Sequence, residues 1–204
     1  QRLGLLSDPV DIIQGAQGAV GRHLDAHRCF FLEVDEATGD TFIHADWHVD
    51  GLSDAAGRYS KKGYGERGLA GHLQRPLFAV DDVATDPAVR DCEAYFRGTS
   101  TRASATAAHH REGRWVGCLG VESREPRRWR ADELKLLEDA VVRVWPLIEK
   151  ARADRLLLDS AEQLRLAAMS AKLGTWRWNA GTDALTLSPR AAEIFGVEPG
   201  ARLS

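Results

Sequence analysis

Between residues 126 and 178 the apolar residues recur at alternating spacings of three and four. The series is Leu134, Leu137, Val141, Val144, Ile148, Ala151 and Leu158, with Arg155 its one polar member. That rhythm puts them on one stripe of an α-helix, as in a coiled-coil seam. A helix of roughly 30 residues is about 45 Å long, more than one small domain needs to cover its core. The stretch is therefore expected to join two domains. The competing reading is a helix that caps a single core and runs into an unrelated linker. Pro146 removes a backbone donor and crowds the preceding turn, which predicts a kink or break near Trp145.

Composition narrows the class. A chain of 204 residues, 44% hydrophobic and 28% charged, reads as a soluble globular protein with one full domain plus a fragment, or two small domains. Its net charge of -3 gives no basic field for nucleic acid. Arg127, Arg128 and Arg130 cluster, but Glu122, Glu125, Asp132 and Glu133 surround them. Cys29, Cys92 and Cys118 have no paired metal spacing and read as reduced, buried thiols. With no signal-peptide pattern and no apolar run near the roughly 18 residues that span a bilayer, a cytoplasmic location without membrane contact is expected. Gln1 at the start and a motif just begun at the end read as a piece of a longer chain.

Along the chain, Asp8-Pro9 opens a helix whose apolar face reaches about Ala26, with Gly15, Gly18 and Gly21 at every third position. No strand precedes these glycines and no Gly-Lys-Ser/Thr follows, so close helix packing is expected rather than a phosphate loop. Residues 27–35 and 40–49 read as strands joined by a turn at 36–39, and 77–80 as a short strand. A glycine-spotted region covers 51–71, and a short helix ends at Tyr95-Phe96-Arg97-Gly98. Residues 101–108 and 115–123 form a hairpin around Arg111-Glu112-Gly113-Arg114. Hairpins at both ends imply an antiparallel sheet, and the class is α+β.

Several of these motifs, in this order, carry a resemblance. They are Asp81 to Pro87, the Tyr95-Phe96-Arg97-Gly98 helix end, Val116-Gly117-Cys118-Leu119-Gly120-Val121 after the Gly113 turn, and Pro126-Arg127-Arg128-Trp129 leading into Glu133-Leu134-Lys135-Leu136-Leu137. The set resembles a GAF domain over about residues 8–150. The resemblance implies a central antiparallel sheet, terminal helices on one face, and a small-molecule pocket under loops and short helices on the other. Residues 151–160 would be a helical linker. In 161–204, a short amphipathic segment at 161–171 precedes Leu173-Gly174-Thr175-Trp176-Arg177-Trp178-Asn179, Thr186-Leu187-Ser188-Pro189-Arg190 and Glu193-Ile194-Phe195-Gly196. These resemble the N-terminal part of a PAS domain, too short to bury a complete core.

The resemblance places the pocket near residues 50–100, with Trp47, Arg58, Tyr59, Tyr64, Asp81, Tyr95, Phe96 and Arg102 as candidate ligand contacts. Aromatic walls with a few polar anchors suit a small molecule, and the alternative is that the aromatic residues simply fill the core. Bilin attachment is not expected: Cys92, the one candidate, lacks the following histidine of the bilin-bearing relatives. Cyclic-nucleotide binding is not expected either, because the Asn-Lys-x-Phe-Asp-Glu pattern of those relatives is missing. His44, Asp46 and His48 alternate along an expected strand and could share a face, yet sit too far apart on a regular strand for one ion, so no metal site is assigned.

No nucleophile elbow or output-enzyme motif is present, so the chain is read as non-catalytic. The expected function is a sensory module of a bacterial histidine kinase or diguanylate-cyclase-type protein. It would be a homodimer paired through the first helix and Leu134, Leu137, Val141, Val144 and Ile148, binding a ligand of unknown identity. The alternatives are a ligand-free dimerisation module and a small enzyme resembling free methionine sulfoxide reductases.

Overall fold

The computed structural model describes residues 8–60 and 75–198. Two compact units divide the chain, Gln1–Arg152 and Ala153–Ser204. In the first, helix α1 (Pro9–His23) starts where the Asp8 carboxylate accepts from the Val10 amide at 2.8 Å, with Pro9 in the opening turn. It ends three residues before Ala26, and Asp25 turns the chain with φ 47°.

Seven antiparallel strands follow: β1 (Arg28–Val34), β2 (Thr41–Ile43), β3 (Trp47–His48), β4 (Gly57–Tyr59), β5 (Leu77–Val80), β6 (Ala103–Arg111) and β7 (Arg114–Ser123). Their order is β4-β2-β1-β7-β6-β5, and β3 also pairs with β1. The turn between β6 and β7 puts Glu112 (φ 51°) and Gly113 (φ 76°) in the left-handed region, as a two-residue hairpin turn requires. The expected strand 40–49 is two pieces, interrupted at 44–46.

Both faces of the sheet are covered, and period-two alternation sorts the side chains. On one face Cys29, Phe31, Ala105, Ala107, Leu119 and Val121 pack against α1 and the long helix α3 (Ala131–Ser170). On the other, Phe30, Leu32, Ile43, Trp115 and Cys118 form a second cluster. Beside it lies a third: Val80, Val89, Cys92 and Phe96, supplied partly by a 3-10 turn (Pro87–Cys92) and the short helix α2 (Glu93–Gly98). Two glycines of β7 permit this packing. A Cβ at Gly117 would run into Trp145 and the Leu32 carbonyl, and one at Gly120 into the Phe30 ring. Trp145 lies between Phe31 (ring centroids 4.8 Å) and His109 (4.5 Å, stacked).

The apolar stripe has a different job from the one expected. Leu137, Val141, Val144 and Ile148 are at most 4% exposed and belong to the domain's own core, with Leu134 packed against it. A face spent on the sheet is not free to pair with a second chain, which corrects the expected dimer seam. Helix α3 is also continuous for 40 residues, through Pro146 and the segment 161–170. The break expected near Trp145 is absent because Pro146 lies on the solvent side. The carbonyl it frees, that of exposed Val142, is open to water.

The second unit holds the end of α3, a hairpin of β8 (Trp176–Asn179) and β9 (Ala184–Leu187), and helix α4 (Pro189–Phe195). Ser188 caps α4, accepting from the Ala191 amide at 3.2 Å. The core here is thin: Leu187, Ala191 and Ala192, with Leu185 and Val197 beside them. Trp176, Trp178, Ile194 and Phe195 stay exposed. No helix among the described residues is long and apolar enough to cross a membrane.

Candidate ligand pocket and its buried charge cluster

The sheet face away from α1 and α3 carries a cavity of about 40 Å³. Phe30 and Leu32 from β1, Ser104 and Thr106 from β6, and Trp115, Cys118 and Glu122 from β7 form its floor. Phe78, Val89, Cys92, Tyr95 and Phe96 close it from β5, the 3-10 turn and α2. Its wall is almost wholly apolar.

One end of this face is polar and charged. Arg28, on β1, is 1% exposed and lies opposite Glu122 of β7 and His48 of β3 in the strand register. One guanidinium nitrogen donates to Glu122 Oε2 at 2.8 Å and to the Thr99 carbonyl at 3.2 Å; the other donates to the Ser53 carbonyl at 2.7 Å. Its Nε lies 2.5 Å from Asp46 Oδ2. Glu122 also accepts from Thr101 Oγ1 at 2.8 Å and from the Tyr95 hydroxyl at 3.4 Å. Asp46 holds His48 Nδ1 at 2.9 Å and accepts from the Ala55 amide at 3.3 Å.

A single arginine thus ties β1 to β7, to the 44–56 segment and to the loop after α2. Burial pulls its guanidinium toward neutrality, but Glu122 and Asp46 outweigh that and raise its pKa. Burial raises Glu122, with Arg28 opposing, and raises Asp46, with the neighbouring Asp54 adding to the effect.

Three of the expected ligand contacts come together on this face. Tyr59 and Tyr95 meet edge-on with ring centroids 5.6 Å apart, and Tyr95 meets Phe96 at 5.3 Å. The others do not join them. Trp47 packs on the opposite face, against α1 at Gly21. Arg58 is exposed, its guanidinium 6.0 Å from the Phe42 ring centroid. Asp81 tethers the lead-in to α3, its carbonyl accepting from the Arg127 amide at 2.9 Å and its carboxylate from the Trp129 amide at 3.2 Å. Arg102 forms a surface pair with Asp82 at 2.9 Å. Tyr64 lies outside the described residues.

The alternation expected of His44, Asp46 and His48 fails at the strand break. His44 turns to Glu33 (3.1 Å) and the Phe42 ring, while His48 serves Asp46. No group of three or more His, Cys, Asp or Glu side chains among the described residues could hold a metal ion. All three thiols are reduced and buried. Burial pushes Cys92 up to about 11, and Cys29 and Cys118 higher still.

The sequence reading does not bring Arg28, Glu122 and Asp46 together: it weighs Asp46 only as a metal ligand and Glu122 only as a neighbour of the arginine cluster at 127–130. A signal was present: Arg28 is in phase with Phe30 and Leu32, and Glu122 with Cys118 and Gly120. Each is a charge on an inward face of a strand covered on both sides.

An antiparallel sheet with terminal helices on one face and short covering segments over a pocket on the other defines an α+β domain of GAF architecture. The chain belongs to the GAF domain family, which it matches over residues 8–145. Its fold is similar to the blue-light-absorbing form of the Thermosynechococcus elongatus PixJ GAF domain, with a TM-score of 0.64 and 16% identity over 80% of this chain and 97% of that one. It is also similar to the phycocyanobilin-bound GAF domain of a cyanobacterial phytochrome, at TM-score 0.63 and 17% identity over 72% and 87%. The chromophore-binding domain of a bacteriophytochrome from R. palustris gives TM-score 0.61 and 15% identity over 74% and 59%. No curated protein matches the sequence.

Proposed function

We propose that this chain is the sensory and relay part of a bacterial signal-transduction protein whose output is a histidine kinase or a diguanylate-cyclase-type enzyme. The GAF domain takes up a small ligand or partner on its pocket face, and residues 161–204 are the start of a PAS domain. The observation that carries this reading is helix α3. Its first half is fixed to the GAF sheet by Leu137, Val141, Val144 and Ile148, and the same helix continues into the second unit. A rearrangement on the sheet would shift that helix and reach whatever follows it.

Homodimerisation moves to the part of α3 that is free for it. Leu157, Ala161, Leu164 and Ala168 are spaced four, three and four apart, and both leucines are about 70% exposed. No activity is proposed for the chain itself. A sulfoxide reductase needs an attacking thiolate, and burial keeps these thiols protonated. The same protonation argues against carrying over the chromophores of the photoreceptor neighbours through Cys92.

Sedimentation of the full chain tests the relay. A wild-type dimer, with Leu157→Glu/Leu164→Glu a monomer of unchanged near-UV circular dichroism, is expected. A wild-type monomer would remove the dimeric relay, and a dimeric double variant would remove this seam. The small cavity favours a second reading, a ligand-free dimerisation module, which differs in showing no ligand-dependent rise in Tm.

A further inference from the structure

We infer that the pocket takes an uncharged, apolar ligand, a molecule or group of only a few heavy atoms, and rejects charged ones. This rests on the reading of the GAF domain as a ligand-binding one.

The wall comes first. Phe30, Leu32, Phe78, Val89, Phe96 and Trp115 dominate it, and one of its hydroxyls, Thr106 Oγ1, is engaged by the Phe78 carbonyl at 3.3 Å. Two more of its polar groups, the Tyr95 hydroxyl and the Glu122 carboxylate, are joined to each other at 3.4 Å, and a buried water needs two to four polar partners. Such a space favours a dry occupant.

The charges at the polar end are already committed to one another. Arg28 is engaged by two carboxylates and two carbonyls, and Glu122 by Arg28, Thr101 and Tyr95. An incoming anion would have to displace Glu122 or Asp46 from Arg28 and leave a buried carboxylate uncompensated. An incoming cation would strand the guanidinium in the same way. Breaking one side of a buried pair is strongly unfavourable, so the cluster acts as a barrier to ions of either sign.

Volume sets the size. A cavity of about 150 Å³ holds benzene, and this one is about 40 Å³. Drug-sized ligands need several hundred Å³.

Xenon is the probe. In the full chain, dissolved xenon under pressure is expected to shift the methyl and aromatic NMR resonances of Leu32, Val89 and Trp115 saturably. Ser104→Val, which fills the cavity with a good strand former, is expected to weaken that binding at least tenfold. Val89→Ala, which enlarges it, should retain the saturable xenon shift. Inorganic phosphate, cyclic GMP and tetramethylammonium are expected to leave the wild-type Tm unchanged. Absence of a saturable xenon shift in the wild type overturns the inference. A rise in Tm of several degrees with any charged probe also overturns it, while leaving the ligand-binding reading intact. Silence toward every probe, together with native mass spectra free of any co-purified mass, overturns both.

Discussion

Arg28 shows how much of the domain's architecture depends on a single side chain. Its contacts reach strand β7, the 44–56 segment and the loop after α2, so it anchors the pocket's polar end to all three. Replacing it by methionine keeps the bulk and removes the charge, leaving Glu122 and Asp46 buried without their counter-ion. The expected loss is about 3–5 kcal/mol, read from the urea midpoint at constant m. Gln17 is the contrasting case. It is fully buried on α1, and neither its amide nitrogen nor its oxygen finds a hydrogen-bond partner among the described residues. Gln17→Met removes an unpaired amide at nearly constant volume and is expected to raise stability by about 1–2 kcal/mol in the same titration.

At the scale of the element, Pro146 is a defect the helix tolerates. An interior proline disfavours a helix by about 3 kcal/mol relative to alanine. Pro146→Ala restores a donor toward Val142, and the added freedom of the unfolded chain offsets part of the gain. A net rise of about 1–2 kcal/mol, with slightly stronger ellipticity at 222 nm, is expected. A loss of stability would mean that the proline sets a helix direction the core needs. The elements themselves were legible wherever local pattern decides them. The Asp8-Pro9 helix start, the β6–β7 hairpin and the short strand at 77–80 all form where the sequence predicts. What the pattern cannot carry is the partner. The stripe from Leu134 to Ile148 announces an apolar face, but a sheet and a second helix satisfy the same spacing. The break at 44–46 was illegible for a related reason: Asp46 leaves the strand for Arg28, 18 positions earlier in the chain. Of the aromatics expected at the pocket, Tyr95 and Phe96 line the cavity and Tyr59 meets Tyr95 edge-on beside it. The buried charges were not brought together because polar residues near strand ends ordinarily face water.

For the whole molecule, these environments combine into a stability profile with two separable limbs. On the acid side burial raises Glu33, but His44 at 3.1 Å and Arg152 at 2.6 Å outweigh it and hold the carboxyl below its usual range. Burial likewise raises Glu133, and the Arg130 amide at 2.9 Å and Arg127 at 2.6 Å bring it below. A depressed folded value means stability that is present above about pH 4.3 and lost as pH falls through that lower value. Glu122 and Asp46, raised by burial, act in the opposite sense and flatten this limb, so the test is a difference between variants. Glu33→Gln is expected to lose stability at pH 7 and to show a shallower acid limb than the wild type. On the alkaline side Cys92 moves from 9.0 to about 11. The unfolded thiol ionises first, so its contribution is intact below about pH 9 and drains away up to about pH 11. Cys92→Ala lowers overall stability by opening a small cavity but should remove that part of the alkaline decline. Urea midpoints measured from pH 3 to 11 for the three proteins resolve both limbs. Parallel curves for Cys92→Ala and the wild type above pH 9 would show that this thiol ionises alike in the folded and unfolded chains.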